Sequence, residues 1–416
     1  MYKIKLLTIT LSILFFAQLV QSQNNTNSPY TRFGYGDISD TNNGEQRAMG
    51  GVSIGSRLNT GINSVNPASY SSVDSMTFMF DLGVAGMMSH FSDSRGAVTK
   101  ANGNLEYLSL QFPVTKWLGF SAGALPYSFV GYDFYNTGTT ITINQPKNDT
   151  ISNTKSFNGS GGFSQVYMGL SANLFNHVSL GVNGYYMFGT INNSRDVSYS
   201  ATSGFTSTTE YNTLKANNFR YRLGAQFYNT FAKKHDVTLG VIFEPKAKLN
   251  GNFKKTLSGI LVEPTDSSSS FETPGIYGLG LYYTFDKKLS IGIDYSIQQW
   301  KDAQFSGKTD SLGNRSKISI GVDYMPNPIS RKYSDHVHYR AGFNLSDSYF
   351  NVNGQQLPKN YGFSVGVGLP LKNSSTVLNA SLEYGKIGST SLLNEEYYKL
   401  TFNFTFNEHW FFKRKL

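Results

Sequence analysis

The stretch from Leu400 to Asn407 reads LTFNFTFN, and its apolar and polar residues alternate without a break. In an extended strand, the leucine and the three phenylalanines fall on one face, and the Thr and Asn residues fall on the other. The same period of two recurs in short segments from about Met76 to Phe406, and it is equally clear from Leu289 to Gln298. We count fourteen such segments. One face of each is suited to lipid and the other to water.

The connections between these segments alternate between short and long along the chain. Long connections rich in Ser, Thr, Asn and Gly run from Gly131 to Gly161 and from Ile191 to Lys215. The short connections lie at Thr115 and Lys116, around Asn176, at Ala232 to His235, at Asp286 to Lys288, near Pro326 to Lys332, and at Lys372 to Ser374. A soluble β-sandwich also alternates, but it rarely keeps such a regular order of loop lengths. The pattern therefore predicts an all-β protein, a 14-stranded antiparallel transmembrane β-barrel with both ends in the periplasm.

The composition agrees with a barrel and excludes several other classes of protein. Charged residues make up 15% of the chain, and 27 Tyr and 31 Phe are enough for two interfacial girdles. The chain has no cysteine, which excludes disulfides and thiolate metal sites. The formal net charge is +9, but the basic residues are dispersed apart from Lys413 to Lys415. We expect no nucleic-acid partner, and we interpret this basic end as solvated or in contact with anionic lipid.

The first residues predict export. Met1 to Lys5 is basic, Leu6 to Val20 is apolar, and small or polar residues follow near Ser22. This order is typical of a secretory signal peptide, residues 1–22, and the apolar run is shorter than the ~20 residues of a spanning helix. We therefore expect the protein in the outer membrane of a Gram-negative cell, with outer-membrane lipid around it.

Residues 23–75 have no sustained alternation and many turn formers, so we predict no strand there. Arg47 to Ser53 contains the run Ala-Met-Gly-Gly, with Gly50 and Gly51, and an Asn-Pro-Ala run follows at Asn66, Pro67 and Ala68. Glycine needs no room for a Cβ and proline donates no backbone hydrogen bond, so such a stretch can fold compactly inside a barrel lumen. The predicted organisation is a periplasmic or lumenal hatch over residues 23–75, followed by the barrel over residues 76–416.

Pro126 interrupts the third segment, Leu118 to Val130. A proline removes an N–H from the hydrogen-bond ladder, and each unpaired backbone group in hydrocarbon costs several kcal/mol. Either the wall kinks or parts at Pro126, or the third strand ends at Leu125 near the outer interface.

Charged residues also fall on the inward faces of the segments. They are Asp81, Glu106, Arg220, Arg222, Glu244, Asp294, Asp323, Arg340 and Glu383. Such residues can line a polar conduit, or acids and bases can pair across the lumen and hold a narrow barrel shut. We favour pairing.

The sequence gives little support for catalysis or metal binding. The six histidines are scattered, and only His336 and His338 share a strand face, which is more often an interfacial detail than a chelate. Asp335 beside His336 is the nearest approach to a lipase-like set, and no nucleophile elbow, phosphate loop or dinucleotide motif occurs. We predict no enzyme activity, no catalytic residue, no cofactor and no metal site.

The Ala-Met-Gly-Gly run and the Asn-Pro-Ala run, placed before fourteen strands, resemble the FadL family of long-chain fatty-acid and hydrophobic-compound transporters, in the branch common among Bacteroidota. The resemblance implies that the N-terminal segment is a hatch, with Asn66, Pro67 and Ala68 as its core and Gly50 and Gly51 as its turn. It also implies that ligands leave sideways where the third strand kinks, which would place Pro126 at a lateral opening. The end of the chain departs from the family pattern, because Phe411 and Phe412 are followed by a basic tail.

Two functions follow from this reading. The first is passive uptake of a hydrophobic, fatty-acid-like small molecule through the hatch and the wall, which needs a kinked third strand and an apolar pocket near the loops. The second is a barrel that does not transport and acts as a docking or shuttle subunit for protein secretion or assembly. Its protein partners would bind the polar outer connections, Gly131 to Gly161 and Ile191 to Thr213.

Overall fold

The computed structural model describes residues 25–144, 147–200, 205–258, 262–267, 270–307, 312–352, 354–371, 375–389 and 393–409. The predicted signal peptide, the short connection at 372–374 and the basic C-terminal end lie outside these ranges. Within them, no helix is long and apolar enough to cross a bilayer.

Fourteen antiparallel strands form a closed barrel, as the sequence predicts. The strands are β1 Thr77–Asp93, β2 Gly96–Pro113, β3 Leu118–Asn144, β4 Lys147–Leu174, β5 Val178–Tyr199, β6 Thr208–Phe231, β7 His235–Glu244 continued by Ala247–Ser258, β8 in three parts (Val262–Ser267, Phe271–Thr273 and Ile276–Phe285), β9 Leu289–Gln298, β10 Arg315–Tyr324, β11 His338–Ser346, β12 Asn360–Pro370, β13 Val377–Ser389 and β14 Leu393–His409. The first and last strands pair from Thr77 with His409 to Ser92 with Asn394, which closes the wall.

The alternation has the expected consequence for burial. Apolar side chains such as Leu279 and Ile293 point outward and are 60% and 46% exposed, whereas Asp294 beside them points inward and is 5% exposed. A closed barrel with an apolar outer band leaves no free edge in hydrocarbon except where pairing is interrupted. The structure is therefore that of a transmembrane barrel.

The two ends of the barrel differ. At one end, tight turns use two consecutive residues with positive φ, such as Ala232 with Lys233 and Asp286 with Lys287, which is the geometry of short hairpins. At the other end, the segments predicted as long loops lie mostly in strands over the described residues, because β3, β4, β5 and β6 have 27, 28, 22 and 24 residues. We call the end with the tight turns the lower end and the opposite end the upper end. The upper parts of these strands lack apolar alternation because both of their faces meet water, so the pattern that identifies wall strands does not identify them.

Residues 25–76, called the inner segment below, lie against the inward faces of the wall. The segment contains the 3-10 helices Pro29–Arg32 and Pro67–Ser72, the α-helix Gly44–Ala48 and the two-residue strand Asp37–Ile38. That strand is a correction to the prediction, since it pairs with Phe129 and Ser128 of β3. Two residues carry no alternation, and their pairing depends on a partner distant in sequence.

Candidate functional site

Glycines on the inward faces of the wall form the seat of the inner segment. At each of these positions, a Cβ atom would lie within 3 Å of an inner-segment atom. One such glycine on each of nine strands is Gly119 of β3, Gly181 of β5, Gly224 of β6, Gly240 of β7, Gly280 of β8, Gly292 of β9, Gly321 of β10, Gly342 of β11 and Gly366 of β12. We call them the glycine ring. Because they occur on nine strands, the inner segment is in close contact with most of the circumference of the wall.

Gly50 and Gly51 form the turn after the helix Gly44–Ala48. Their φ angles are 69° and 91°, which strongly favour glycine. The Gly50 N–H donates to the Ser364 hydroxyl at 2.9 Å, and the Gly51 N–H donates to the Gln46 carbonyl at 2.8 Å. A side chain at Gly50 would also meet the backbone of Phe343. The turn is thus fixed by its own conformation and by the wall.

The Asn-Pro-Ala run begins the 3-10 helix Pro67–Ser72. The Asn66 side chain caps this helix by accepting from the Ala68 N–H at 3.1 Å, and it donates to the Ile54 carbonyl at 2.8 Å. The Ala68 carbonyl accepts from the Ser171 and Ser179 hydroxyls at 2.8 and 2.6 Å. Asn66 and Ala68 are 0% exposed. The run is therefore a built contact between the inner segment and the wall.

Six of the nine predicted inward charges form ion pairs, with neighbouring strands or with the inner segment, whereas Asp81, Asp294 and Glu383 are in none of the ion pairs of the described residues. Glu244 is ion-paired with both Arg220 and Arg222. Arg340 bridges Asp323 at 2.9 Å and Glu45 of the inner segment at 3.1 Å. These networks hold the inside of the barrel together, because leaving any member unpaired at such depth would be costly.

Asp294 provides a second polar contact to the inner segment. Its carboxylate accepts from the Ser53 N–H at 2.6 Å and from the Ile54 N–H at 2.7 Å. The sequence singles out Asp294 as an inward charge but does not indicate that it serves the backbone of a distant segment.

The wall parts between β2 and β3. These strands pair only from Leu108 to Pro113 with Ala124 to Gly119. Both strands carry a bulge at this level, at Glu106 in β2 and at Tyr127 in β3. Each bulge places two consecutive side chains on the inward face, so the strands diverge above it. We call this interruption the wall gap.

Pro126 lies at the lower end of the wall gap. The strand continues through it, and Pro126 itself pairs with Ser164 of β4. Of the two readings open from the sequence, the parting of the wall is what the structure has, because pairing with β2 stops two residues earlier, at Ala124. A proline has no N–H with which to continue that ladder.

The inner segment spans the wall gap. Ser39 donates its N–H to the Tyr127 carbonyl at 3.0 Å, next to the two pairs of the strand Asp37–Ile38. On the other side, the Asn102 and Asn104 side chains of β2 donate to the Asn25 carbonyl.

A cavity of about 180 Å³ lies behind the wall gap. Its charged lining comprises Asp37, Asp40, Arg47, Glu106, Arg315, Lys317, Asp347, Glu383, Glu395 and Lys399. Glu106 is shared by Arg47 at 2.5 Å and Lys399 at 2.8 Å. Burial alone would raise the pKa of Asp40, but Lys317 and Arg315 hold it well below its ordinary value. The cavity is also lined by apolar and aromatic side chains, among them Ile38, Tyr349 and Phe350, so its lining is mixed.

The loop side of the interior is filled by a packed apolar core. Tyr35 of the inner segment, Phe271 and Trp300 are each 0% exposed. Tyr35 contacts Trp300 and Phe305 with ring centroids 5.6 and 5.0 Å apart, and the Tyr35 hydroxyl donates to the Glu272 carbonyl at 3.0 Å. The apolar residues expected to line a ligand pocket pack against one another instead.

The histidines do not form a chelate. His338 contacts Asp323 at 2.9 Å, whereas His336 contacts the Ser330 carbonyl at 2.6 Å. Over the described ranges, no group of His, Cys, Asp or Glu is arranged to hold a metal ion.

Sequence reasoning missed the glycine ring and the strand Asp37–Ile38. A signal for the ring exists, because glycine recurs on the polar face of the alternating segments, for example at Gly181, Gly240 and Gly366. Glycine on an inward face indicates that another backbone approaches closely.

Solved structures with the same fold are known. A FadL homologue from Pseudomonas aeruginosa is 12% identical, with a TM-score of 0.61, and the match covers 90% of this chain and 99% of that one. The Ralstonia pickettii toluene transporter TbuX is 14% identical, with a TM-score of 0.60 over 88% and 98% of the two chains. The Pseudomonas putida toluene transporter TodX is 14% identical, with a TM-score of 0.56 over 91% and 100%. At these identities the likeness shows a shared fold.

No curated protein matches the sequence. A family model described as BamG matches residues 1–416.

Proposed function

The chain belongs to the BamG family, and we propose that it is an outer-membrane barrel that docks a partner protein on its outer sheet. The outer sheet is the part of β3 to β7 that lies beyond the bilayer. The observation that carries the proposal is the height of β3 to β7, the last in two parts of 10 and 12 residues, compared with strands such as β9 and β10. These strands have 22 to 28 residues, whereas β9 and β10 have 10 each. A strand crosses a bilayer in about 9 to 11 residues, so more than ten residues of each tall strand lie beyond it.

The upper part of this sheet has the character of a binding surface. Pairing between β3 and β4 continues up to Asn144 and Lys147, and β6 pairs with Ala247–Ser258 at the same level. Its residues are mostly Thr, Ser and Asn, with exposed aromatics such as Tyr135, 71% exposed, and Tyr211, 53% exposed. Tyrosine among small polar residues is a favourable composition for protein recognition, because it supplies contact area at low entropic cost.

The interior supports a docking role more than a conducting one. The apolar core around Tyr35 and Trp300 is closely packed, and charged side chains share the lining of the cavity behind the wall gap with apolar ones. A hydrophobic solute in that cavity would lie against carboxylate and ammonium groups over part of its surface, which is less favourable than burial in a wholly apolar pocket.

Site-specific photo-crosslinking in native outer membranes tests the proposal. A photoreactive residue in place of Tyr135 or Tyr211 should give a protein adduct of discrete mass. The matched control is Leu279, which is 60% exposed but faces lipid on β8. Adducts that form equally at all three positions, or only lipid adducts, would contradict docking at the outer sheet.

A shortened hairpin provides an independent test. Phe134 pairs with Phe157, so residues 135–156 can be replaced by a two-residue turn without changing the wall below. The adduct formed at Tyr211 should then be lost if the partner spans both hairpins, while the barrel keeps its folded migration in electrophoresis. An undiminished Tyr211 adduct would limit the docking surface to β5 to β7.

Passive uptake of a hydrophobic, fatty-acid-like molecule is the second candidate, and the wall gap at Pro126 favours it. The resemblance to FadL-like barrels of the Bacteroidota-type branch suggests the same route, with the inner segment as the hatch, Gly50, Gly51, Asn66, Pro67 and Ala68 as its contacts, and Pro126 at the lateral opening. Replacement of Pro126 by valine should then slow uptake. Gentle detergent extraction followed by mass spectrometry separates the two functions, because a barrel that carries lipid and no protein would favour uptake.

A further inference from the structure

We propose that the wall gap is a strand-addition site, at which the free edge of β2 binds an extended, amphipathic segment of a partner protein. This site is separate from the outer sheet and does not depend on it. The proposal rests on the unused edge of β2, on strand pairing that the inner segment already makes in the gap, and on the side chains that flank the edge.

The free edge is long. From Gly96 to Leu105 and at Tyr107, β2 is paired with β1, but over the described residues no strand pairs with its other side above Leu108. In the middle of this edge, the Ala101 carbonyl accepts a long hydrogen bond from the Asn27 side chain, at 3.4 Å. An unpaired strand edge favours any chain that can pair with it, and where the edge lies in hydrocarbon each unpaired backbone group costs several kcal/mol.

The opposite side of the gap already binds a strand. Asp37 and Ile38 pair with Phe129 and Ser128 of β3, and Thr31 exchanges hydrogen bonds with the backbone of Gly131. Strand addition is therefore the way in which this edge is satisfied by the chain itself. Along the free edge itself, above Glu106, the contact of the inner segment with β2 is weaker in kind, because it consists of the Asn27 amide and of the Asn102 and Asn104 side chains bound to one carbonyl.

The flanking side chains define the occupant. Toward lipid, the edge presents Ala101, Gly103 and Leu105, the last 59% exposed. Toward the cavity it presents Asn104 and Glu106, and Asn102 lies buried on the same inward face. An added strand would meet lipid with every second side chain and the polar cavity with the others. The occupant is thus a segment of alternating apolar and polar residues, as in the strands of a transmembrane barrel.

Disulfide trapping with the full chain tests the proposal, since the protein has no cysteine of its own. Gly103→Cys places a thiol on the free edge, and Gly86→Cys places one directly opposite on β1. Both glycines face outward. A Cβ atom added to Gly86 would have no neighbour within 4 Å, and one added to Gly103 would have only the Ala85 carbonyl oxygen, 3.6 Å away, so both variants should fold. An added strand would lie about 5 Å from residue 103 and about 10 Å from residue 86.

The probe is a synthetic peptide with the sequence of residues 400–409, LTFNFTFNEH, made in three versions with a cysteine at the position of Phe402, Phe404 or Phe406 to cover neighbouring registers. The expected result is at least about tenfold more disulfide at Gly103→Cys than at Gly86→Cys for one register or more. A peptide of the same composition with its apolar residues grouped together should lose this preference. Equal trapping at both sites, no trapping at either, or equal trapping of the rearranged peptide would overturn the proposal.

Discussion

Substitution of one residue of the glycine ring should loosen the inner segment without unfolding the wall. Gly240 is suitable, because a Cβ there would meet the Ile54 carbonyl and nothing flexible that could move aside. Overpacking of this kind costs about 1 to 3 kcal/mol. We expect the wall to stay folded when the inner segment is released, so the entropic benefit of replacing a glycine cancels between the two states. The full cost therefore acts on the equilibrium for release of the inner segment.

The expected magnitude is a 5-fold to 150-fold increase in the released population, since about 1.4 kcal/mol corresponds to a factor of ten. The assay is the rate at which a maleimide labels a single cysteine introduced at Ser56, which is 3% exposed. The rate should rise by that factor in Gly240→Ala. Gly184→Ala is the matched control, because Gly184 faces outward on β5 and its nearest neighbour would be 3.9 Å away. Equal labelling of the parent, Gly240→Ala and Gly184→Ala would refute the reasoning.

Three further outcomes are expected. Glu244→Gln leaves Arg220 and Arg222 with unbalanced buried charge and should lower the free energy of unfolding by about 3 to 5 kcal/mol in denaturant titration. Its control is Glu210→Gln, because Glu210 forms a partly exposed pair with Lys255, and this change should cost less than about 1 kcal/mol. Asp294→Ala removes the acceptor for the Ser53 and Ile54 N–H groups and should raise thiol labelling at residue 56 by at least about tenfold, with Asp294→Asn intermediate; unchanged labelling would contradict the role of Asp294. The contribution of Asp40 to stability is present above its ordinary pKa of 3.8 and is lost only as pH falls through its lowered folded-state pKa. Lys317→Met raises that folded-state pKa and should therefore move the acid loss of stability to higher pH. Coincident curves of stability against pH for the parent and Lys317→Met would exclude this coupling.

Much of the wall could be predicted because its physics is local. A strand between lipid and water must alternate, and LTFNFTFN at Leu400 to Asn407 shows this directly. The tall parts of β3 to β6 could not be recognised, because a strand with water on both faces needs no alternation. Stretches such as Ile141 to Asn144 within Thr-rich and Asn-rich sequence are compatible with either a loop or a strand. Pairing with neighbours decides between them, and that information is not local.

In the candidate site, too, features set by local sequence could be predicted and features set by distant partners could not. Pro126 could be identified because a proline has one specific deficiency in a ladder, and its neighbourhood is where β2 and β3 part. The bulge at Glu106 has no comparable signature, because any residue can occupy it. The run at Asn66 to Ala68 is visible as a turn signal, but its contacts with Ser171 and Ser179 are more than 100 residues away in sequence. Reasoning from one sequence names such residues without their partners.

The position of the inner segment inside the wall also has a consequence for the order in which the protein forms. The inner segment leaves the ribosome before every wall strand, yet Gly50 donates to Ser364, 314 residues later, and Ser28 donates to Glu395, 367 residues later. Contacts of such high sequence separation are slow to form, because a long loop must close before they contribute. The first part of the chain to be synthesised is thus the last to be completed. During that interval the inner segment is without the distant partners that bury it in the finished barrel, an exposure that a barrel without an inner segment does not have.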